Sequence, residues 1–201
     1  MNHGLSAGKS RTTELYGVNM VKNKLFLYES VLSNGFCDYV LNSVDWSHAE
    51  TGLVTPNKLK NFEKRITDVV WQEPSTPIGC VAQTYIAESN VKAEWNFLLS
   101  TLEQVQIGRY AAEDGGHYGW HLDGAEPENG MQRKLSVSIL LNDPSEFEGG
   151  ELQLKYVDSN NTLTKRGSIV VFPSFMEHRV TPVTKGVRYS AVTWALGPAF
   201  R

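Results

Sequence analysis

From Val105 onward, short β-rich runs alternate with clusters of turn-forming residues. The runs cover residues 105–110, 118–123, 135–142, 151–156, 168–173, 178–183 and 187–195. Between them stand Asp114-Gly115-Gly116, Glu126-Pro127-Glu128-Asn129-Gly130, Asp143-Pro144, Glu148-Gly149-Gly150, Asp158-Ser159-Asn160-Asn161 and Lys185-Gly186. Gly, Pro, Asn and Asp reverse a chain because they reach backbone angles or make local hydrogen bonds that other residues do not. Strands this short cannot each bury an apolar face, so a succession of them must pack as a sandwich or barrel. The predicted fold is mainly β, an antiparallel double-sheet barrel backed by N-terminal helices.

The helices are expected in the first half. Ser33 and Asn34 are capping types, and Phe36, Val40, Leu41 and Val44 follow at the spacing of one helical stripe. Ser75-Thr76-Pro77 is a second start, with Pro at the first helical position. Val81, Ala82, Tyr85 and Ile86 give that helix its apolar face. Ser89 interrupts the face, so the helix is predicted to end by about Asn90. At 201 residues the chain suits a single domain.

Composition narrows the function. Apolar residues make up 41% and charged residues 20%, as in an ordinary globular chain rather than a disordered one. The formal charge is −3 with no Lys/Arg run, which argues against a nucleic-acid surface. Residues 1–18 hold no apolar core of a secretory signal, and no apolar run reaches the roughly 18 residues of a membrane helix. Cys37 and Cys80 make no disulfide framework and read as two reduced core thiols. These features suit a cytoplasmic protein without a membrane partner.

His121 and Asp123 are two apart in a predicted strand, so both side chains project from one face while Leu122 points away. His178 opens a later predicted strand. Two imidazoles and one carboxylate on a rigid scaffold form the facial triad that suits non-haem Fe(II), leaving open positions for a chelating cosubstrate and dioxygen. His117 is expected in a solvated loop, and His3 and His48 at the surface.

On the last run, Arg188, Ser190, Val192 and Trp194 share a face. If that face is internal, a guanidinium and a hydroxyl enter an apolar interior together. A buried Arg requires an anion, and no Asp or Glu on a neighbouring predicted strand offers one. A ligand carboxylate would, through a bidentate charge-assisted pair supported by Ser190.

The stretches HYGWHLDG (117–124), LSVSILLNDPSEFEGGELQL (135–154) and FPSFMEHRVTPVTKGVRYSAVTW (172–194) resemble, in order and spacing, the Fe(II)/2-oxoglutarate-dependent oxygenases. The likeness is to their prolyl 4-hydroxylase-like branch, and within it to bacterial PKHD-type hydroxylases. It covers roughly residues 104–198. The resemblance implies a double-stranded β-helix (a cupin-like jelly roll) as catalytic core over 104–198, with 1–103 as a helical support carrying some strands. It implies Fe(II) on His121, Asp123 and His178, and the distal carboxylate of 2-oxoglutarate on Arg188. Ser190 then occupies the second position of the family's RxS pattern. Tyr110 resembles a tyrosine supporting the same carboxylate, although the stretch from Tyr110 to His121 is slightly longer than is typical. Trp194 matches a frequent aromatic and reads as core packing. Tyr118, Trp120 and Arg133 are the candidates for substrate contact.

The implied reaction consumes O2 and 2-oxoglutarate, hydroxylates a prolyl or similar residue in a peptide or protein, and releases succinate and CO2. Ascorbate is the implied reductant. Related halogenating enzymes carry a small residue in place of the carboxylate, so Asp123 points to hydroxylation. Segments 111–116 and 124–133 are expected as lids, and Glu113, Asp114, Glu126 and Glu128 as an acidic rim suited to a basic or neutral peptide. A free amino acid or small metabolite is the alternative substrate. A nucleic-acid demethylase of the superfamily would carry a second arginine where Trp194 stands. A cupin-like metal-binding barrel would have no need of Arg188 and Ser190.

Overall fold

The computed structural model describes residues 18–21, 24–51, 65–124, 129–157 and 163–200. In chain order its elements are β1 (Val18–Val21), β2 (Leu25–Tyr28), α1 (Asn34–Asn42), β3 (Glu50–Thr51), β4 (Arg65–Ile66), β5 (Asp68–Gln72), α2 (Pro77–Lys92), β6 (Thr101–Leu102), β7 (Val105–Ala111), β8 (His117–His121), β9 (Met131–Leu140), β10 (Phe147–Gly149), β11 (Leu152–Leu154), β12 (Ile169–Pro173), β13 (His178–Val180) and β14 (Val183–Pro198).

The strands form two antiparallel sheets. The large sheet runs β1-β2-β12-β9-β14-β7-β5-β3, with β6 and β10 also paired to β14. The small sheet runs β11-β13-β8-β4. Among the described residues the two sheets share no strand and face each other, as the expected mainly β double-sheet jelly roll requires, without closing into a continuous barrel. The N-terminal half supplies both edges of the large sheet, β1–β2 at one end and β3–β5 at the other.

Each face of the large sheet is buried. One packs Ile107, Val137, Ile139 and Val171 against Cys37 and Val40 of α1 and Ile78, Ala82 and Ile86 of α2. The other packs Tyr110, Leu140, Val170 and Phe172 against Leu152, Leu154 and Val180 of the small sheet. Each fully buried aliphatic side chain contributes about 1.5–3 kcal/mol.

Both helices start as expected. Ser33 Oγ accepts from Phe36 N at 3.2 Å, closing the N-terminus of α1, and Pro77 opens α2. α2 runs past Asn90 to Lys92, because Ser89 lies fully buried and its hydroxyl meets Tyr28 Oη at 3.2 Å. Cys37 is buried, but Cys80 is exposed on the outer side of α2 and is no core thiol. His48 is exposed beside Asp45. His117 is not in a solvated loop: it begins β8, half-buried, with Nδ1 2.8 Å from Gly115 O. No helix among the described residues is long and apolar enough to cross a membrane. Residues 1–17, with His3, and 125–128, with Glu126 and Glu128, lie outside the described residues.

Candidate active site

Register places the site. On the large sheet Arg188 pairs with Tyr110, Ser190 with Gly108, and Trp194 with Ser136. Directly opposed residues share a face. Tyr110, Arg188, Ser190, Trp194 and Ser136 therefore all look toward the small sheet.

On the small sheet His178 pairs with His121, while Val180 pairs with Tyr118. Two steps on β13 thus oppose three on β8, which makes a β-bulge. A bulge re-aims side chains, and here it turns Tyr118 and His121 onto one face, their rings stacked at 3.5 Å between centroids. Trp120, adjacent to His121 on β8, faces the other way by strand alternation. It lies 37% exposed, with Arg179 Cζ 4.7 Å from its ring, so it does not line this chamber as its assignment to substrate requires.

Asp123 does not sit on the strand with His121, as the two-residue spacing suggested. β8 ends at His121. The turn beyond is tied to the 174 turn, Asp123 N and Gly124 N donating to Ser174 O at 3.1 and 2.9 Å. Ser136 Oγ donates to Asp123 Oδ2 at 2.7 Å and lies 2.9 Å from Ser174 Oγ.

The three groups converge. His121 Nε2 is 3.5 Å from Asp123 Oδ1, and His178 Nε2 is 3.4 Å from Asp123 Oδ2. One ligand atom from each lies within 4.8 Å of the others, so the trio could hold a single metal ion. His121 Nδ1 sits 2.8 Å from Gly119 O, and His178 Nδ1 2.9 Å from Met176 O. A carbonyl only accepts, so each Nδ1 carries the proton and each Nε2 lone pair faces the centre. Burial alone would raise the Asp123 carboxyl, but the two imidazoles packed against it, His178 first and then His121, overrule this and hold it well below the usual carboxylate range. Burial pushes His178 below the usual imidazole value, against the pull of Asp123. An ionised carboxylate beside a neutral imidazole is a donor set ready for a divalent cation.

Arg188 is the other half of the site. It is 2% exposed, and its one hydrogen bond runs from Nη1 to Ser190 Oγ at 3.0 Å. Nη2 has no partner. Burial lowers the guanidinium below its ordinary value. Its carbon lies 5.5 Å from the Tyr110 ring centroid, which puts Tyr110 beside the guanidinium by its ring. Among the described residues the other buried side-chain atoms without partners are Arg65 Nε, Thr67 Oγ1 and Trp194 Nε1. Native interiors leave few such groups. All four residues border the space between the sheets. Arg65 lies 4.6 Å over the Tyr118 ring and pairs with Tyr118 in register. Thr67, between β4 and β5, stands beside Gly108 and Tyr110.

The remaining expected residues, Tyr118 and Arg133, each have partners of their own beside the site. Tyr118 is taken up by its stack on His121, and burial pushes its phenol up to about 12. Arg133 donates from Nε and Nη2 to Glu103 at 2.8 and 2.6 Å, and its guanidinium covers the Trp194 ring at 3.7 Å. The expected lid at 111–116 is a pinned turn. Gly116 N donates to Ala111 O, and Arg109 bonds both Asp68 and Glu113. Arg109 thereby offsets part of the charge of Glu113 and Asp114. Sequence reasoning missed Arg65, Thr67, Ser136 and Ser174; only Ser136 had a signal, since it alternates with the apolar residues of its strand.

Facing sheets with two imidazoles, a carboxylate and a buried cation between them form a jelly roll whose donor set suits non-haem Fe(II). The sequence profile of the 2OG-Fe(II) oxygenase superfamily matches residues 105–196, a little under half of the chain. A PKHD-type hydroxylase of Picosynechococcus sp. (strain PCC 7002) is 37% identical over 108 residues, 53% of this chain and 48% of that protein. The match thus spans about half the length of that relative. The fold is similar to that of the viral collagen prolyl hydroxylase of Paramecium bursaria Chlorella virus-1 in its 2OG complex, at TM-score 0.68 and 21% identity, covering 89% of this chain and 99% of that one. A prolyl hydroxylase of Trichoplax adhaerens, in complex with a hypoxia inducible factor peptide fragment, gives TM-score 0.64 and 18% identity over 86% of this chain and 83% of that one.

Proposed function

We propose that this chain is an Fe(II)- and 2-oxoglutarate-dependent hydroxylase acting on a prolyl or similar residue of a peptide or protein. In this reading residues 104–198 are the catalytic core and 1–103 its support within one domain. His121 Nε2, His178 Nε2 and Asp123 hold the iron. Arg188, with Ser190 and Tyr110 beside it, takes the far carboxylate of 2-oxoglutarate. When bound, iron and 2-oxoglutarate supply the oxidising power, with O2 consumed and succinate and CO2 released.

The protein's own part is geometry, charge and exclusion of water. The carbonyls of Gly119 and Met176 fix both imidazoles. Phe172, packed 4.8 Å from the His178 ring, and the apolar cluster around Leu140 keep the floor of the site dry. The single observation that carries the reading is the Arg188 Nη2 atom, buried and unpartnered on the face opposite the His-Asp-His trio. A metal-binding barrel without oxygenase activity gives no reason to bury that cation.

A peptide substrate is the first reading; a cleft of about 510 Å³ bordered by Thr51, Thr67, Asp68, Arg109 and Glu113 lies beside β5 and β7 and has room for an extended chain. The Trichoplax enzyme's own peptide complex is consistent with it. A free amino acid or small metabolite is the second reading, favoured by the burial of Arg65 and Thr67, which suits a small polar group. Ascorbate enters as an external reductant. Anaerobic Fe(II) protein given 2-oxoglutarate should develop a metal-to-ligand absorption band, and succinate formation should then rise with the correct substrate. Prolyl peptides tested against free amino acids separate the two readings, and omission of ascorbate tests its part. Absence of the band in the wild type overturns the cosubstrate assignment.

A further inference from the structure

The stem of Arg188 does not cross the chamber freely. It runs against the turn after β10, where Gly149 and Gly150 both adopt positive φ, at 75° and 62°. The two glycines are needed for different reasons. A methyl group on Gly149 would strike backbone, 2.1 Å from Pro182 O. A methyl group on Gly150 would stand 2.8 Å from Arg188 Cδ and 2.9 Å from Val183 Cγ2. The turn itself is fixed, since Gly150 N donates to Pro182 O at 3.1 Å. Val183 is buried in the apolar cluster with Leu140 and Phe172 and has little room to retreat. The Arg188 stem is therefore the part that must give way.

We infer that Gly150 is a positioning residue that sets the reach of Arg188, and so the length of 2-oxo diacid the site accepts. The inference rests on the reading of Arg188 as the 2-oxoglutarate anchor. A diacid must span from the metal to the guanidinium, so its length is matched to where the guanidinium stops. A shortfall of about 0.6 Å from ordinary contact is comparable to the tolerance within which a binding group must be held. Gly150→Ala should shift the guanidinium by displacing Cδ while leaving the trio, which lies on other elements, untouched.

Anaerobic calorimetry with Fe(II), and then with 2-oxoglutarate, oxaloacetate and 2-oxoadipate on the Fe(II) protein, tests this. Gly130→Ala is the control, because Gly130 also has positive φ, at 74°, but open space around it. We expect Gly150→Ala to weaken 2-oxoglutarate binding about tenfold or more and change the preference among the three diacids, with Fe(II) affinity within twofold. Gly130→Ala should leave all four affinities in place. Adding Val183→Ala to Gly150→Ala opens room for the new methyl and should recover part of the loss; if Gly150→Ala alone does not fold, this double variant carries the comparison of diacid preference. Unchanged preference in whichever variant folds, or an equal loss in Gly130→Ala, overturns the inference. Failure of the wild type to bind any of the three diacids would instead overturn the anchor reading beneath it.

Discussion

Ser136 donates a 2.7 Å hydrogen bond to Asp123 Oδ2 and at the same time meets Ser174 Oγ at 2.9 Å. The carboxylate lies beyond the end of β8, so this small hydroxyl pair, with Ser174 O, does the aiming that a strand would otherwise do. Ser136→Ala should keep the fold and weaken Fe(II) binding about 10- to 100-fold, the usual cost of losing such support around a metal ligand. Anaerobic titration with Fe(II) checks it; wild-type affinity would show that the turn alone holds Asp123.

Asp123→Ala removes the anionic ligand itself. Fe(II) uptake and succinate formation should both be lost while the far-ultraviolet circular dichroism stays that of the wild type. Continued succinate production would refute the place of Asp123 in the centre.

Arg188 links stability to binding. Without a ligand it is a buried cation with one hydrogen bond, and replacing such a group by an apolar one of similar volume is often neutral or stabilising, by about 1–4 kcal/mol. Arg188→Met should therefore hold or raise the Tm of the ligand-free protein. The same change should weaken 2-oxoglutarate by about 2–5 kcal/mol, the cost of truncating one partner of a buried charge pair. A lower Tm with unaltered cosubstrate affinity would assign Arg188 to structure alone.

Trp120 stands outside the chamber, between Arg179 and Lys155. Trp120→Ala should leave Fe(II) and 2-oxoglutarate affinities within twofold and lower stability by about 1 kcal/mol through lost cation–π contact. A large change in substrate KM would restore the role first expected for it.

Tyr28 offers a pH test away from the metal. Burial, partly countered by the Ser89 hydrogen bond, pushes its phenol up to about 12. The folded state therefore keeps a proton that the unfolded chain gives up nearer pH 10. The stabilisation is whole below about pH 10 and is lost as pH rises toward 12, amounting to about 2–3 kcal/mol for Tyr28. Tyr28→Phe should flatten the fall of Tm over that window; an identical alkaline slope would exclude Tyr28 as its source.

The second half of the chain was legible because turn chemistry and period-two alternation agree there, as at Asp143-Pro144 and along residues 135–142. His121, His178 and Arg188 lie on strands, where residue type and parity coincide, whereas Asp123 lies past the end of β8 and is aimed by a turn that its spacing from His121 did not show. The first half was not legible. β4 and β5 are short strands among polar residues, so Arg65 and Thr67 carried no periodic signal. The β8 bulge was invisible because one extra residue leaves composition unchanged while bringing Tyr118 onto the face of His121; Trp120, next to His121, points away by alternation alone. β14 runs further than expected, since Leu196 and its neighbours find partners in β6 and β9 that only the assembled sheet provides.

Both imidazoles lean on carbonyl oxygens two residues before them, at Gly119 and Met176. Main-chain oxygen is present whatever amino acid occupies those positions, so no single codon change can delete either brace. The carboxylate arm leans on two serine hydroxyls, which one base substitution can erase. Sequence drift should therefore detune this centre asymmetrically, spoiling the aim of its acidic arm long before that of its nitrogen donors.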